Sequence, residues 1–443
     1  MTPVSAPTLR PPRRRRRPQG DAAPQPCQAK PSASYDRPFW LAYLSSLFVS
    51  AAVSVLFRYA DFVTLLGGTE FHLGWIVGIG MVGSLAMRLV LGSWIDRYGA
   101  RLLWLGSTLL FVVTCLAHLT VASHTGAAIY LLRISYCCAV AGMSGASMTF
   151  VSMRAPNERL AEMVGMLGTG GFVGIVVGTL LGDFMFGSIT ITPAQVAQMF
   201  LAAGLLGLLS LPFAWAATRG EGSGFRVQDS GVSTREPSLL ALVRRHSPGI
   251  ILIIGVAMGM GLGLPSTFLR TFAAEQGIPR IGLFFLVYCI AAVAIRVPTR
   301  RWTERFGPRR IILVGMTIMT ASIAIFPLVH TEWQLAFPAI GFGCSHAILW
   351  PAVVAAGSVT FPPQNRGLAT VLLLAAWDFG LVVASPAVGA VLKYSEAVGL
   401  PPYPTMFLSM AGLLVLVTLW YAVAGSEAVH RAASELKRGQ KAA

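Results

Sequence analysis

The sequence is poor in charged residues. Only 12% of its 443 residues are Asp, Glu, Lys or Arg, whereas an ordinary soluble domain carries about 25%. Apolar residues make up 55% of the chain, and the mean hydropathy is +0.67. These values exclude an ordinary soluble domain, so most of the chain is expected to lie in lipid.

The sequence also lacks the patterns of most catalytic and cofactor-binding sites. Its six cysteines show no C-x-x-C spacing, and all but Cys27 lie within apolar runs, where they are expected to pack as small apolar residues. No G-x-x-x-x-G-K-[ST] loop is present, which argues against ATP-driven transport. No nucleophile triad, histidine cluster or metal-ligand spacing occurs in the apolar segments. We therefore predict a protein that is not an enzyme and that holds no cofactor and no metal.

Positive charge is abundant but unevenly placed. The net charge is +16, and residues 1–38 hold eight Lys or Arg against two acids, including the run from Arg13 to Arg17. Such segregation is not typical of a nucleic-acid-binding face, so no nucleic-acid partner is predicted. The basic, Pro-rich tail 1–38 is predicted to be disordered, and its charge permits contact with anionic lipids.

Twelve apolar runs follow the tail, each near the ~20 residues that a helix needs to cross a bilayer. They lie at about 39–59, 74–95, 102–122, 126–151, 161–186, 194–217, 249–273, 280–299, 309–329, 333–357, 366–392 and 403–424. A polar linker at 218–247 separates two predicted six-helix halves, 39–217 and 248–425, and a tail at 426–443 ends the chain. Lys and Arg collect on the side of the tails and linker, whereas the opposite loops offer only Arg280 and Lys393. Both termini are therefore predicted to be cytoplasmic.

The two predicted halves contain the same sequence unit. Four residues of the first half recur 208 positions later in the second half: Gly74 as Gly282, Arg88 as Arg296, Asp96 as Glu304, and Gly99 as Gly307. Two membrane-embedded halves with a repeated unit are typical of a secondary transporter. The predicted fold class is an all-α membrane protein with twelve transmembrane helices in two pseudo-symmetric halves.

The loop after the second apolar run holds Gly92, Asp96, Arg97, Gly99 and Arg101, and a degenerate second copy holds Glu304, Arg305 and Gly307. This pattern resembles a signature of the major facilitator superfamily. The resemblance covers about 40–425 and implies the fold of that family. It also implies that these loops act as a conformational latch between the halves; the alternative is a plain topology anchor. Gly99 is expected at a turn that needs a positive φ or a close approach.

Two further matches to the family are partial. Arg133 stands at the position of a conserved arginine in the fourth helix. Three glycines of the fifth helix resemble an antiporter signature, although Thr179 and Asp183 replace its proline and its last glycine. These three are predicted to pack helices closely: Gly174, Gly178 and Gly182.

Ionisable side chains inside membrane helices are costly and by default indicate function. Asp378 lies near the midpoint of the eleventh run, where a carboxylate could bind and release the coupling proton; the alternative is a fixed salt bridge to an arginine. Arg133 lies well inside the fourth run and is predicted to bind substrate or assist proton coupling; the alternative is a structural pair with a neighbouring helix.

Arg58 and Arg270 end the first and seventh runs and are repeat equivalents. Together they could hold an anion near the outer mouth; the alternatives are snorkelling to the interface and pairing with Asp61. His346 and Trp350 lie in the tenth run, in a segment that resembles a bacterial branch of arabinose-efflux-like permeases. His346 could relay protons, or it could be a hydrogen-bonded packing residue.

The sequence therefore predicts a monomeric secondary transporter of the plasma (inner) membrane that moves a small solute by alternating access. Proton-coupled export of an organic compound is the leading hypothesis, as in an efflux antiporter. Uptake or facilitated passage of an organic anion is the alternative, because arginines outnumber acids in the predicted cavity. A membrane sensor that keeps this fold without transport is the rival from another class.

Overall fold

The computed structural model describes residues 35–156, 159–187, 190–219, 249–299, 301–361 and 366–442, without the side chains of 161, 304, 366, 367 and 425–442. Most of the predicted N-terminal tail and of the linker at 218–247 lies outside the described residues. The side chain of Glu304 and the side chains of the tail at 426–443 lie outside them too.

The described residues form thirteen α-helices and three short 3-10 helices, with no β-strand among them. The α-helices in chain order are α1 (Arg37–Val55), α2 (Tyr59–Leu65), α3 (Glu70–His118), α4 (Ala127–Arg154), α5 (Leu160–Met185), α6 (Pro193–Thr218), α7 (Ile250–Glu275), α8 (Gly282–Thr299), α9 (Trp302–Phe306), α10 (Pro308–Ile325), α11 (Ala336–Ser358), α12 (Arg366–Ala397) and α13 (Pro402–Ala442). The 3-10 helices are Leu56–Arg58, Phe326–Leu328 and Glu332–Leu335.

Local sequence explains where several helices begin. Asp36 precedes α1 and accepts a hydrogen bond from the backbone N–H of Phe39 at 3.1 Å. Thr192 precedes α6 and accepts from the N–H of Gln195 at 3.3 Å. Both helices carry a proline in their first turn. These side chains satisfy N–H groups that the helix itself leaves unpaired.

Eleven helical segments among the described residues are long and apolar enough to cross a membrane. The longest, α3, has 49 residues, about 74 Å at ~1.5 Å per residue, which is more than twice the ~30 Å of a bilayer core. Gly99 interrupts it with φ 83° and ψ 153°. The break divides α3 into a first segment before Gly99 and a second segment after it, each long enough for one crossing. Counted separately, these segments bring the candidate crossings in the described chain to twelve.

The repeat seen in the sequence is also a repeat of backbone geometry. Gly307, 208 positions after Gly99, adopts φ 80° and ψ 147° between α9 and α10. This region of backbone space is nearly restricted to glycine. The predicted positive φ at Gly99 is therefore observed, and the second half repeats the same turn.

Two pairs of helices make the most extensive contacts between the two halves. The first segment of α3 packs against α12, and α5 packs against α8. At Gly74 the approach is so close that an added Cβ would lie 2.3 Å from the carbonyl oxygen of Ser385. This contact lies at the end of the bundle where the segments 66–69 and 276–281 connect helices, which we call the closed end.

The opposite end, with the turns at Gly99 and Gly307, is called the open end. Gly92 of α3 and Gly165 of α5 lie there, on the same helices that join the halves at the closed end. In the described structure, no atom of another segment lies within 4 Å of the position a Cβ would take at either glycine. At Gly92 and Gly165 the halves therefore do not pack as closely as they do at Gly74.

Candidate substrate cavity and gate

A cavity of about 180 Å³ lies between the halves. Its wall is formed by α1, the first segment of α3, α4, α7 and α12. Three ionisable side chains with opposite charges line it among the apolar ones: Arg88, Arg133 and Asp378. Two of these were singled out from the sequence as candidate site residues, and the structure brings them into one cavity.

Asp378 is buried and bonded to the opposite half. It is 2% exposed, and its Oδ2 accepts a hydrogen bond from the Ser84 hydroxyl at 2.6 Å. The Arg88 guanidinium donates to both carboxylate oxygens, through Nε to Oδ2 and through Nη2 to Oδ1 at 3.4 Å. Because Ser84 and Arg88 belong to α3 and Asp378 to α12, one carboxylate ties the two halves together in the middle of the bundle.

Arg133 has no such partner. Its guanidinium carbon lies 4.2 Å from the ring centre of Tyr59 and 4.7 Å from that of Tyr136. Its Nε and Nη1 are buried and have no hydrogen-bond partner among the described residues. Since Asp378 neutralises Arg88, the cavity retains one positive charge that the described side chains do not compensate.

The closed end contains a second charged cluster of four side chains, which we call the charge quartet: Arg58, Asp61, Asp183 and Arg270. Asp61 bridges the two arginines, at 2.9 Å from Arg58 Nη1 and 2.9 Å from Arg270 Nε. Asp183 Oδ1 lies 3.0 Å from Arg58 Nη2. All four are at most 6% exposed.

The charge quartet also joins the halves. Arg270 belongs to α7, so its bond to Asp61 crosses between them. Asp183 of α5 accepts from the N–H groups of Ile281 and Gly282 at 3.2 and 2.5 Å. Arg58 Nη2 donates to the carbonyl of Pro279 at 2.5 Å. A carboxylate at the first N–H groups of α8 is favoured by unpaired donors and by the helix dipole.

Of the alternatives for Arg58 and Arg270, which were anion binding, snorkelling and pairing with Asp61, this arrangement favours the pairing. The predicted pairing with Asp61 is observed, and both guanidinium groups already bind carboxylates of the chain. Arg58 and Arg270 lie close together, because both bind Asp61. Both arginines form part of the contact between the halves at the closed end, and neither of them lines the cavity.

His346 and Trp350 lie in an aromatic cluster. The Nδ1 atom of His346 is hydrogen-bonded to the Tyr288 hydroxyl. Its ring lies 5.8 Å from that of Phe172 and 6.0 Å from that of Trp377, and Trp350 packs edge-on against Trp377 at 6.1 Å. Neither His346 nor Trp350 lines the cavity that holds Arg133. A role for them in transport stays a prediction.

The predicted latch residues lie at the open end. Gly92, Asp96 and Arg97 are exposed, whereas Gly99 and Arg101 are half-buried. Arg97 lies over the ring of Tyr98 at 5.3 Å, and Arg305 lies over that of Phe306 at the same distance. The two copies of the loop therefore repeat an arginine–aromatic contact as well as the glycine turn. Their function as a latch stays a prediction.

The three glycines of α5 differ in how closely they pack. An added Cβ would lie 2.4 Å from the carbonyl oxygen of Leu47 at Gly174 and 2.2 Å from that of Ala51 at Gly178. At Gly182 the nearest atom would be 3.6 Å away, an ordinary contact. Close packing of α5 on α1 therefore depends on Gly174 and Gly178, not on Gly182.

Three features of the cavity were not foreseen from the sequence: the two tyrosines around Arg133, and which arginine pairs with Asp378. Tyr136 lies three residues after Arg133, a spacing that places side chains on one helix face, so this neighbour could have been found. Tyr59 and the pairing of Arg88 with Asp378 could not, because they depend on how separate helices are rotated toward one another.

Comparison with known proteins gives several similar transporters. The multidrug resistance protein MdtG of Dickeya zeae is 23% identical over 334 residues, which cover 72% of this chain and 79% of that protein. A chloramphenicol efflux pump of Mycobacterium tuberculosis is 27% identical over 110 residues, 25% of this chain and only 27% of the pump. A probable nitrate/nitrite antiporter of Thermus thermophilus is 23% identical over 282 residues, 60% of each chain.

The fold and the family agree with these matches. The crystal structure of a mutant of the nucleoside transporter NupG superposes with a TM-score of 0.71 at 16% identity, over 87% of this chain and 99% of that one. The family model of the Major Facilitator Superfamily matches residues 39–295 and 251–442. The protein is therefore a multi-pass membrane protein with a transporter fold, and the chain belongs to the Major Facilitator Superfamily.

Proposed function

We propose that this protein exports a small organic solute with a negatively charged group, by alternating access and in exchange for protons. The observation that carries the proposal is Arg133. Its guanidinium is buried in the cavity between the halves, and two of its three nitrogen atoms lack a partner among the described residues.

An unpaired buried charge is unfavourable unless something binds it. A guanidinium presents a planar set of donors that matches a carboxylate or phosphate group. The flanking rings of Tyr59 and Tyr136 hold the group in place and shield it from water. A solute anion in the cavity would supply the missing acceptor, so the substrate itself completes the charge balance.

Asp378 is the proposed proton-binding group. In the described state, its charge holds Arg88 and Ser84 of the other half. A proton on Asp378 would neutralise the carboxylate and weaken that bond between α3 and α12. An anionic solute near Arg88 would compete with Asp378 for the same guanidinium. Proton and solute would therefore act on one contact between the halves, which is the requirement for coupling.

The proposed direction of transport is supported by the predicted orientation and by the names of similar proteins. The distribution of Lys and Arg favours an open end that faces the cytoplasm, where an exporter takes up its solute. Several similar proteins are named for export, among them the chloramphenicol efflux pump and a staphylopine export protein of Staphylococcus aureus that is 27% identical over 176 residues, 39% of this chain and 42% of that protein.

Uptake or facilitated passage of an organic anion is the second candidate. The uncompensated positive charge of the cavity supports it equally well, and so does the similarity to the probable nitrate/nitrite antiporter. A sensor without transport would keep the fold but would move no solute. Flux measurements in the two membrane orientations separate these three functions.

The first test is a thermal-shift screen of the purified protein with small organic anions and lipophilic cations at two pH values. A ligand of the folded state raises the midpoint of unfolding by mass action. We expect stabilisation by an anion. In Arg133→Ala we expect its affinity to fall roughly 10- to 100-fold, because hydrogen bonds to charged groups contribute about 1.5–3 kcal/mol each. Arg310→Ala, which removes an exposed arginine, should leave the affinity unchanged.

Stabilisation by cations alone would contradict the proposal that the solute is an anion. If only cations stabilise the protein, and Asp378→Asn abolishes that effect, the solute is cationic and the assignment of Arg133 is wrong.

The coupling and the direction require transport in vesicles. With the ligand from the screen, everted membrane vesicles should accumulate it when the interior is acidified. Asp378→Asn should lose this dependence on the pH gradient and keep exchange of labelled for unlabelled solute. Equal pH-driven flux in Asp378→Asn and the unaltered protein would remove Asp378 from the coupling mechanism. No flux in either orientation would favour the sensor.

A further inference from the structure

A second pocket of the described chain lies outside the cavity between the halves. It has a volume of about 420 Å³, against about 180 Å³ for the cavity, and it lies along α3 near the open end. It is lined by both segments of that helix: Met87, Trp94, Tyr98, Leu102, Leu103, Gly106, Ser107 and Leu110. We call it the α3 groove.

The shape of the α3 groove follows from the sequence on either side of Gly99. In the second segment, Leu102, Gly106 and Leu110 are spaced by four and share one helix face. Gly106 has no side chain, and in the described structure no atom of another segment lies within 4 Å of where its Cβ would stand. The row of leucines is therefore interrupted by a notch, and Trp94 and Tyr98 of the first segment form the other wall.

The α3 groove faces the surroundings of the protein. Trp94, Tyr98 and Leu102 are 44%, 50% and 61% exposed. Further along the second segment, Leu109 and Val113 are 55% and 53% exposed. A large apolar surface of this kind, in a helix that crosses a membrane, faces lipid chains. An aromatic pair near the end of a crossing is typical of the headgroup level.

Positive charge lies at the mouth of the α3 groove. Arg97 is exposed, and its guanidinium carbon lies 5.3 Å from the ring centre of Tyr98, which lines the groove. Arg101 stands one residue before Leu102 and is half-buried. Against these two arginines the loop has one acid, Asp96, so its net charge is positive. An apolar slot with a cationic mouth complements a lipid with an apolar chain and an anionic headgroup.

We propose that the α3 groove is a binding site for an anionic phospholipid. One acyl chain lies in the slot between Trp94 and Gly106, and the phosphate binds Arg97 and Arg101. The site is separate from the cavity that holds Arg133 and does not depend on the function proposed above.

The fluorescence of Trp94 measures directly whether an acyl chain occupies the α3 groove, because brominated acyl chains quench tryptophan fluorescence on contact. The full chain, reconstituted in nanodiscs, is compared with Trp94→Phe, and the difference isolates Trp94 from the other nine tryptophans. The probes are brominated phosphatidylglycerol and brominated phosphatidylcholine, each titrated into unlabelled phosphatidylcholine. Each basic residue near an anionic lipid is expected to favour it by roughly fivefold. We therefore expect the anionic lipid to quench Trp94 at a concentration on the order of tenfold lower.

Three variants test the geometry. Gly106→Leu fills the notch and should abolish the preferential quenching, whereas Gly412→Leu is its matched control. Gly412 is also an exposed helical glycine with no atom of another segment within 4 Å of its Cβ position in the described structure. The double variant Arg97→Gln/Arg101→Gln should reduce the preference for the anionic lipid to about one while keeping quenching by both lipids.

Equal quenching by the two lipids in the unaltered protein would show a surface that bulk acyl chains cover without selection, and would overturn the proposal. Absence of Trp94 quenching by either lipid would show that no chain enters the groove. Displacement of the anionic lipid by a lipophilic solute, with Gly106→Leu blocking both, would instead assign the groove to a solute.

Discussion

The two buried charge clusters that join the halves differ in their balance. The charge quartet at the closed end has two arginines and two aspartates, and main-chain groups of the segment 279–282 add further hydrogen bonds. Its charges balance, although Arg270 Nη1 is buried without a hydrogen-bond partner among the described residues. The cavity has two arginines and one aspartate, and part of Arg133 has no acceptor among the described residues. A balanced cluster stabilises one conformation, whereas an unbalanced one leaves an interaction for a solute to make.

The helices also pack more closely at the closed end than they do around the cavity. At the same closed end, α3 and α12 approach so closely that a Cβ at Gly74 would collide with a backbone oxygen. The wall of the cavity encloses open space, and Asp378 links the halves there through the side chains of Ser84 and Arg88. We therefore expect substitutions at the closed end to act mainly on stability, and substitutions at the cavity to act mainly on transport.

The largest effect on stability is expected from Asp61→Asn. It removes the carboxylate that Arg58 and Arg270 share, and it leaves Arg270 without its ion pair in a site that is 1% exposed. Removing one partner of a buried ion pair typically costs about 3–5 kcal/mol. We expect a loss of that size in the free energy of unfolding, measured by SDS titration in mixed micelles. The amides of Ile281 and Gly282 should also exchange hydrogen faster.

The matched control is Asp36→Asn near the first residue of α1. Asp36 is ion-paired with Arg154, but both side chains are about a quarter or more exposed. Water can replace that partner, so the expected loss stays below about 1 kcal/mol. Equal losses at Asp36 and Asp61 would mean that burial does not distinguish the charge quartet.

Gly74→Ala is expected to have the next largest effect. Its Cβ would lie 2.3 Å from the carbonyl oxygen of Ser385 and 3.3 Å from Gly389 Cα, and backbone atoms cannot turn away as a side chain can. Overpacking of this kind costs about 2–3 kcal/mol. We expect the closed end to loosen, which cysteine-accessibility labelling at the segment 276–281 would detect. Gly92→Ala, on the same helix but at the open end, should leave that labelling unchanged in the described state.

Much of this fold could be predicted from the sequence, for reasons visible in single elements. The apolar runs, the repeat over 208 positions and the glycine turns depend on local composition and spacing, and the structure reproduces them. The family assignment from the loop around Asp96 is confirmed. The helix boundaries differ mainly in length: the run at 366–392 continues to Ala397, and the first helical region extends to Leu65.

The pairing of charges could be predicted only in part. The repeat gave Arg58 and Arg270 equivalent positions in the two halves, and Asp61 is three residues from Arg58, so the pairing of Arg58 with Asp61 was open to local reasoning. Asp183 is 125 residues from Arg58, and Asp378 is 290 from Arg88. Which of several buried acids meets which arginine depends on the rotation of each helix about its axis, and apolar periodicity is weak in helices that have lipid on one side.

Alanine substitutions at the two glycine turns of the open end are expected to lower the free energy of unfolding moderately and by similar amounts. Gly99→Ala and Gly307→Ala each force a Cβ into backbone angles near φ 80° and ψ 150°, which costs about 1–2 kcal/mol. In the described structure neither position has an atom of another segment within 4 Å of its Cβ site, so the loss is backbone strain alone. The two variants should lower the free energy of unfolding by similar amounts in SDS titration. A large loss at only one turn would show that the repeat is not energetically equivalent.

The smallest effect on stability, and the largest on transport, is expected from Asp378→Asn. The Arg88 side chain is 13% exposed and borders the cavity, so water can reach it when its partner is removed. We expect Asp378→Asn to cost less than about 1 kcal/mol of unfolding free energy, well below the cost expected at Asp61. Arg88→Gln should cost more than Asp378→Asn, because it leaves the Asp378 carboxylate, whose side chain is 3% exposed, without its ion pair. The double variant should cost no more than the larger single loss, because both changes remove the same bond. The same three variants should all lose pH-driven flux. Destabilisation by Asp378→Asn as large as that by Asp61→Asn would instead mean that the pair of Arg88 and Asp378 is a fixed structural bridge. The contrast between the charge quartet and the cavity would then not hold.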